Sequence, residues 1–527
     1  MQQLKIWALG GMIAVAAAAC NTSLLDVNPT DRYLQNTFWQ NMDQANAGLN
    51  GCYSILRNDG IYGGKGSNNA TPLWEECATP NQYGNTMNFG TMARSDHSAA
   101  TGGIITARWA DAYGGIGRCN TFLDNAASVP GMSQANLERM SAQALFLRAL
   151  YYSFLTTYYG DAPLILHTPD PNKDGTRPRT PRALVMTQIF KDLDSAAKYL
   201  PAKYTAATDK GRVTKGAALA LKARLLLFEA SPLMNPSGDL QKWKDAENAA
   251  KAVMDMAGQA GDDLFDDHRA LFLPQNENNK EVIFDVQYMW PEQGNSFDLI
   301  CRQYNTNAPL LDLVMAYPMD NGLFPTEAGS GYDPAKPYEN RDPRMYATLT
   351  FPGDMYMGNI IDDKRFAITG FGMKKFSIYD REAPPSDKSS LVGGQSETNF
   401  IVLRYADVLM MYAEARNETS GADATVYAAL KEIRDRVDMP EIAAGLNQTQ
   451  MREAIRKERR IEFAGEATYY NDIRRWKTIE TVMNSDAKKY NGSFLETRKF
   501  DVKRDYWWPI PTGERDLNPK LDQNPFY

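Results

Sequence analysis

The sequence predicts a mainly α protein, built of tetratricopeptide-like helical hairpins stacked as an α/α superhelix, with a loop-rich subdomain that contains minor β structure. Three observations predict it. Several long segments carry helical periodicity, long Gly- and Asn-rich stretches lie between them, and one run among the loops alternates like a strand.

In AQALFLRALYYSFLTTYYG, Leu147, Tyr151, Phe154 and Tyr158 step by four, three and four, so they share one face of a helix. Ala142, Ala144, Ala149 and Ser153 lie between them and allow a neighbouring helix to approach closely. Gly160 supplies the stop. VTKGAALALKARLLLFEA, NAAKAVMDMA, YADVLMMYAEARN and TVYAALKEIRDRV read alike. Aromatic and small residues meshing in successive helix pairs point to stacked hairpins, although no clean period of about 34 residues is visible and the repeats must be degenerate.

Between the helices the character changes. Asn58 to Gly90 is rich in Gly and Asn, with Trp74, Tyr83 and Phe89 set among them. Loops this long in a compact protein are usually functional or lack order. The region of about 258–398 is similarly loop-rich, and its EVIFDVQYMW alternates Val282, Phe284 and Val286 with other residues, a strand signal. The helical scaffold is therefore expected over about 36–257 and 399–480, interrupted by that insert.

The N-terminus has its own logic. Lys5 precedes an apolar stretch from Ile6 to Ala18, which fits a secretory signal and is too short for the ~20 residues that span a bilayer. Ala17, Ala18 and Ala19 run directly into Cys20, resembling the lipobox of bacterial lipoproteins. Residues 1–19 would be the signal peptide, Cys20 the acylated first mature residue and 20–35 a tether.

Hydrophobic residues make up 43% and charged residues 23%, so a large core can be buried. A net charge of -7 argues against a nucleic-acid surface, which needs clustered Lys and Arg. Cys52, Cys77, Cys119 and Cys301 allow three disulfide pairings among which sequence cannot choose; buried free thiols are the plainer reading.

A catalytic constellation is hard to find. Glu458 and Glu462 lie four apart on one helix face, as paired carboxylates for acid–base work or metals would. Arg459, Arg474 and Arg475 stand close in sequence, and structural ion pairing is the better reading. His97, His167 and His268 belong to no metal or triad motif, and no Gly-x-Ser-x-Gly elbow occurs. GIYGGKGS fails as a phosphate loop because Gly66 follows Lys65 where Ser or Thr is required. DPNKDGT sets Asp170, Asn172, Asp174 and Gly175 at calcium-loop positions, but Pro181 stands where the bidentate glutamate belongs, leaving at most a weak calcium site. No enzyme chemistry, metal or other cofactor is expected.

LRYADVLMMYAEARNE, IRKERRIEFAGEATYYNDIRRWK and the closing YWWPIPTGERDLNPKLDQNPFY together resemble the SusD/RagB family of outer-membrane nutrient-binding lipoproteins. FLRALYYSFLTTYYGDAPLIL and the lipobox cysteine with LLDVNPTDRY look like that family's N-terminal part. The resemblance covers essentially the whole mature chain, 36–527 forming the SusD-like domain and 501–527 its C-terminal motif. It implies a surface lipoprotein of Bacteroidota-type outer membranes that binds an oligosaccharide and hands it to a SusC-like TonB-dependent transporter. The first acidic residue after Cys20 is Asp26, so outward orientation rests on the family and not on a local signal. A RagB-type peptide receptor and a helical-repeat protein-binding adaptor are the alternative readings.

The expected ligand contacts are Trp74, Tyr83, Trp290 and Tyr304, which lie in or beside the long loops, with Asn81 and Arg302 near them in sequence. An aromatic face stacks on the C–H face of a sugar ring, while amide and guanidinium groups bond its hydroxyls.

Overall fold

The computed structural model describes residues 38–63 and 70–527; the signal segment, Cys20 and the tether to residue 35 lie outside them. Among the described residues six long helices build the first half: α1 (Met42–Ser54), α2 (Ile104–Asn125), α3 (Gln134–Tyr158), α4 (Arg182–Tyr199), α5 (Lys215–Ala230) and α6 (Leu240–Ala260). Each packs on the next, giving the stacked hairpins that the periodicity predicts. Their starts are written in the sequence: Asn41, Ser133, Thr214 and Asp239 each accept a backbone N–H from the first turn they precede. α3 ends at Tyr158, and Gly160 takes a positive φ of 82° that only glycine adopts freely.

Small residues set the spacing of these helices. A Cβ on Gly115 of α2 would lie 2.4 Å from the Tyr151 ring of α3, so glycine is what lets the two helices meet. Tyr151 passes on to donate its hydroxyl to the Cys52 carbonyl of α1 at 2.7 Å. Three helices are thereby locked around one buried tyrosine.

The second half adds α7 (Tyr405–Ser420), α8 (Ala424–Asp435), α9 (Gln448–Glu462) and α10 (Tyr469–Arg475), with α7 packed directly on α6. The insert thus leaves the helical stack and returns to it. Its two ends are joined by strands β1 (Val282–Val286) and β2 (Phe400–Arg404), antiparallel, with Val282 opposite Arg404 and Val286 opposite Phe400. The expected alternation in β1 is not seen in burial, because Ile283, Phe284, Asp285 and Val286 are all covered. Both faces are packed, so the strand reads as a run.

The C-terminal segment closes over the first half. Trp508 donates its backbone N–H to Tyr158 at 2.7 Å and its indole N–H to Tyr470 Oη at 3.1 Å, and Asn524 Nδ2 donates to the Tyr159 carbonyl at 2.9 Å. The ends of the domain are thereby stitched together.

Glu458 and Glu462 are buried ion-pair acceptors, but their partners come from elsewhere than the neighbouring arginines. Arg344 Nη1 reaches both, at 2.6 and 3.0 Å; Arg434 takes Glu458 at 2.5 Å, and Arg404 takes Glu462 at 2.8 Å, with Arg436 also bound to Glu462. Arg459 instead pairs with Asp407 and Asp472, and Arg475 with Glu414. Arg344 belongs to the insert, so this buried pair also fastens the insert to α9. Cys52, Cys77, Cys119 and Cys301 are buried and unbridged. No helix among the described residues is long and apolar enough to cross a membrane.

Candidate ligand-binding surface

Beyond β1 the chain turns sharply. Tyr288 is buried, its N–H donating to Asn399 Oδ1 at 2.9 Å and its hydroxyl to the Gly63 carbonyl at 2.7 Å. Met289 and Gln293 then exchange backbone bonds, closing a turn that carries Trp290 and a cis Trp290–Pro291 bond at its tip. Anchoring the base of the turn leaves its tip out: Met289 and Trp290 are 59% and 50% exposed.

A second turn follows within a few residues. Asp298 caps the structure below it, its carboxylate accepting from Ser377 Oγ and the Ile378 N–H, both at 2.8 Å. The helical turns Phe297–Leu299 and Ile300–Tyr304 end where Asn305 adopts a left-handed conformation and donates to the Phe371 carbonyl at 2.9 Å. Tyr304, at the end of this turn, is 48% exposed. Arg302 lies beneath: Nη2 donates to the Leu391 carbonyl at 3.0 Å and to Gln303 Oε1 at 3.2 Å, and the guanidinium carbon stands 5.5 Å from the Tyr379 ring centre. Its buried Nε has no hydrogen-bond partner among the described residues.

One loop bridges the two turns. Leu391 meets Arg302, while Asn295 and Ser396 exchange backbone bonds at 2.7 and 3.0 Å. A Cβ on Gly294 would fall 2.0 Å from the Gly394 carbonyl oxygen, so the loop closes on the turn only because that residue is glycine. Between these anchor points Val392 is 51% exposed. Met289, Trp290, Tyr304 and Val392 are thus exposed apolar and aromatic groups on the rim of segments tied to one another, with Arg302 and Gln303 on the same turn as Tyr304 and Gln395 on the bridging loop.

Trp74 and Asn81 do not join that rim. Trp74 sits in a helical turn, Thr71–Trp74, is 1% exposed, and donates Nε1 to Thr306 Oγ1 at 2.9 Å. Asn81 is fully buried, donating to Glu76 Oε2 at 2.8 Å and accepting from Arg460 Nε at 2.9 Å. Both are corrected from ligand contacts to framework. The physical reason is Arg498, whose guanidinium takes the carbonyls of Cys77, Thr79 and Gln82 at 2.6–2.9 Å and folds the segment inward. Tyr83 is half-buried in a two-residue strand, Gln82–Tyr83, paired with Ala308–Pro309. Met289 and Val392, exposed apolar neighbours of the two turns, were not singled out by sequence reasoning, which sought aromatic rings.

The DPNKDGT segment forms a capped helical turn, Pro171–Asp174. Asp170 Oδ1 accepts the Asn172 N–H at 3.0 Å, and Asp174 is taken by Arg177 Nη2 at 2.8 Å and His167 Nε2 at 3.1 Å. Its carboxylates are committed within the turn and do not converge on one point. Among the described residues no group of three or more His, Cys, Asp and Glu stands where it would hold a metal ion.

Comparison with known proteins agrees with this architecture. Residues 280–527 match the profile of the SusD family, and residues 25–227 match one described as starch-binding associating with outer membrane. A SusD-like protein P2 of Formosa agariphila is 26% identical, the match covering 95% of this chain and 96% of that one. Two Bacteroides fragilis structures, a SusD-like protein and a SusD-like carbohydrate-binding protein, are each 25% identical with a TM-score of 0.78. They cover 95% and 92% of this chain and all of their own. With two family profiles together spanning most of its length, relatives aligned nearly end to end and solved structures of similar fold, the chain belongs to the SusD/RagB family.

Proposed function

We propose that this protein captures an oligosaccharide at the outer membrane by stacking and hydrogen bonding, with no covalent step, and passes it to a SusC-like TonB-dependent transporter. The observation that carries the reading is the rim of the insert: Trp290 and Tyr304 stand half-exposed on two turns tied by one loop, with Arg302 held beside them. Binding pockets for hydroxylated ligands combine apolar platforms with a few placed polar groups. The related carbohydrate-binding structure and the starch-binding family description support the same ligand class. Anchoring is by acylated Cys20 after removal of residues 1–19, on the sequence pattern alone.

The test is calorimetric titration of the chain from Asn21 onward against a panel of oligosaccharides and peptides. Saturable binding of a glycan, with the ligand recovered unshortened after a day, is expected. Binding of peptides alone would favour the RagB-type reading. Purification from the native outer membrane in mild detergent is expected to bring a β-barrel transporter along, since a stable interface buries on the order of 1,200–2,000 Å². Mass spectrometry is expected to find acyl chains on Cys20, and Cys20→Ala to release the protein to the soluble fraction.

A further inference from the structure

A pocket lined by none of the rim residues lies beside the end of β1. It has a volume of about 360 Å³ and is walled by the end of α1 with the turn after it, by the loop 208–212, and by the end of β1 with Gln287. Small-ligand pockets start near this size, at about 300 Å³. The loop meets the strand at Gly211, whose φ is 73° and where a Cβ would fall 2.4 Å from Gln287 Cγ. Glycine is thus what closes that wall.

Three basic side chains line the pocket: Arg57, Lys210 and Arg212. Arg212 is engaged, with Asp209 at 3.2 Å, Gln143 Oε1 at 3.2 Å and Asn50 Oδ1 at 3.3 Å. Arg57 is not. It is half-buried, and among the described residues its guanidinium makes no hydrogen bond or ion pair. Burial pulls its pKa down, with only the Tyr288 ring opposing. A half-buried guanidinium that faces a pocket without a carboxylate partner is free to take an anion from solution. Asp285, the one carboxylate among the described lining residues, does not pair it: Oδ1 accepts from Gln287 Nε2 at 2.5 Å and Oδ2 from Asn399 Nδ2 at 2.9 Å.

We propose that this pocket binds a small oxyanion, the carboxylate or sulfate group of an acidic ligand, with Arg57 as its main contact and Lys210 at the rim. The planar guanidinium offers two parallel N–H donors to such a group, and an ion-paired hydrogen bond is about twice as strong as a neutral one. Gln287 and Asn50 border the same space with neutral polar groups. The site does not depend on the aromatic rim: a protein that bound no neutral glycan would still bind the anion.

The test is titration of the full chain with sodium sulfate and with sodium glucuronate, at constant ionic strength set by chloride, with glucose as the uncharged control. Saturable binding of at least one anion is expected, weakened about tenfold or more in Arg57→Gln at unchanged melting temperature. Lys210 is exposed, so Lys210→Gln keeps the fold, and a several-fold weakening is expected there. Tighter sulfate binding assigns the site to sulfate esters or the free ion, and tighter glucuronate binding to sugar acids. Absence of saturation by either anion, or equal affinity in Arg57→Gln and the parent, overturns the proposal.

Discussion

The Trp74 indole donates a 2.9 Å hydrogen bond to Thr306 Oγ1 across 232 residues of sequence, with the ring 1% exposed. It ties the segment before α2 to the insert just after the Tyr304 turn. Trp74→Ala is expected to lower stability by about 3–5 kcal/mol, the range for emptying a buried aromatic site. Trp74→Phe keeps most of the bulk and loses the bond, with an expected cost of about 1 kcal/mol. Denaturant unfolding reads both, and glycan affinity of the folded fraction is expected to hold.

Trp290 gives the opposite pattern. Its ring covers no core, so Trp290→Ala is expected to leave the melting temperature within a degree or so while glycan affinity falls by ~1–3 kcal/mol, by analogy with stacked bases. Tyr304→Ala is expected to act in the same direction. Unchanged affinity in both, with normal folding, would move the site off this rim.

Glu462 is fully buried among arginines, and they hold its carboxyl well below the usual range. Replacing it takes one shared carboxylate from Arg344, Arg404 and Arg436, which keep Asp342 and Glu458, Glu281 and Glu466, and Glu281 respectively. Glu462→Gln is expected to cost about 3–5 kcal/mol, as removal of one partner of a buried pair does. The same variant is expected to leave ligand stoichiometry unchanged in whatever protein remains folded.

His97 supplies a pH signature. Its Nε2 lies 2.7 Å from the Tyr527 hydroxyl and 3.6 Å from Asp505, and burial pulls its pKa down to about 4 despite that carboxylate. The unfolded chain therefore binds a proton near pH 6.5 that the folded chain refuses until about 4. Stability from this group is full above pH 6.5 and is lost as pH falls toward 4. Urea midpoints measured across that window are expected to drop less steeply in His97→Gln than in the parent.

Much of the scaffold was legible. The step of Leu147, Tyr151, Phe154 and Tyr158 is a local signal, and α3 follows it to Tyr158. β1 was legible as a strand but not as one buried on both faces, since the covering helices are distant in sequence. Trp74 misled for a related reason: a Gly- and Asn-rich context speaks to backbone freedom, whereas its burial depends on Thr306 and Arg498. Pro72 at the start of a helical turn was the local hint. The carboxylates of α9 were readable as ion-paired, yet Arg344 stands 114 residues from Glu458, and no spacing rule reaches that far. Trp290 and Tyr304 were placed in loops, and both stand exposed there.

The pairing of β1 with β2 has a consequence for how such a chain can diverge. Residues 287–399 leave and re-enter the helical stack at adjacent points, so the insert is topologically a loop whose ends are already fastened. Loop-closure entropy grows only with the logarithm of length, about 0.6 kcal/mol for each doubling. Lengthening or rewriting the rim therefore asks little of the scaffold so long as the insert keeps its ties to α9, such as Arg344 to Glu458 and Glu462. Selection can try new ligand surfaces between those two strands while the helices stay as they are.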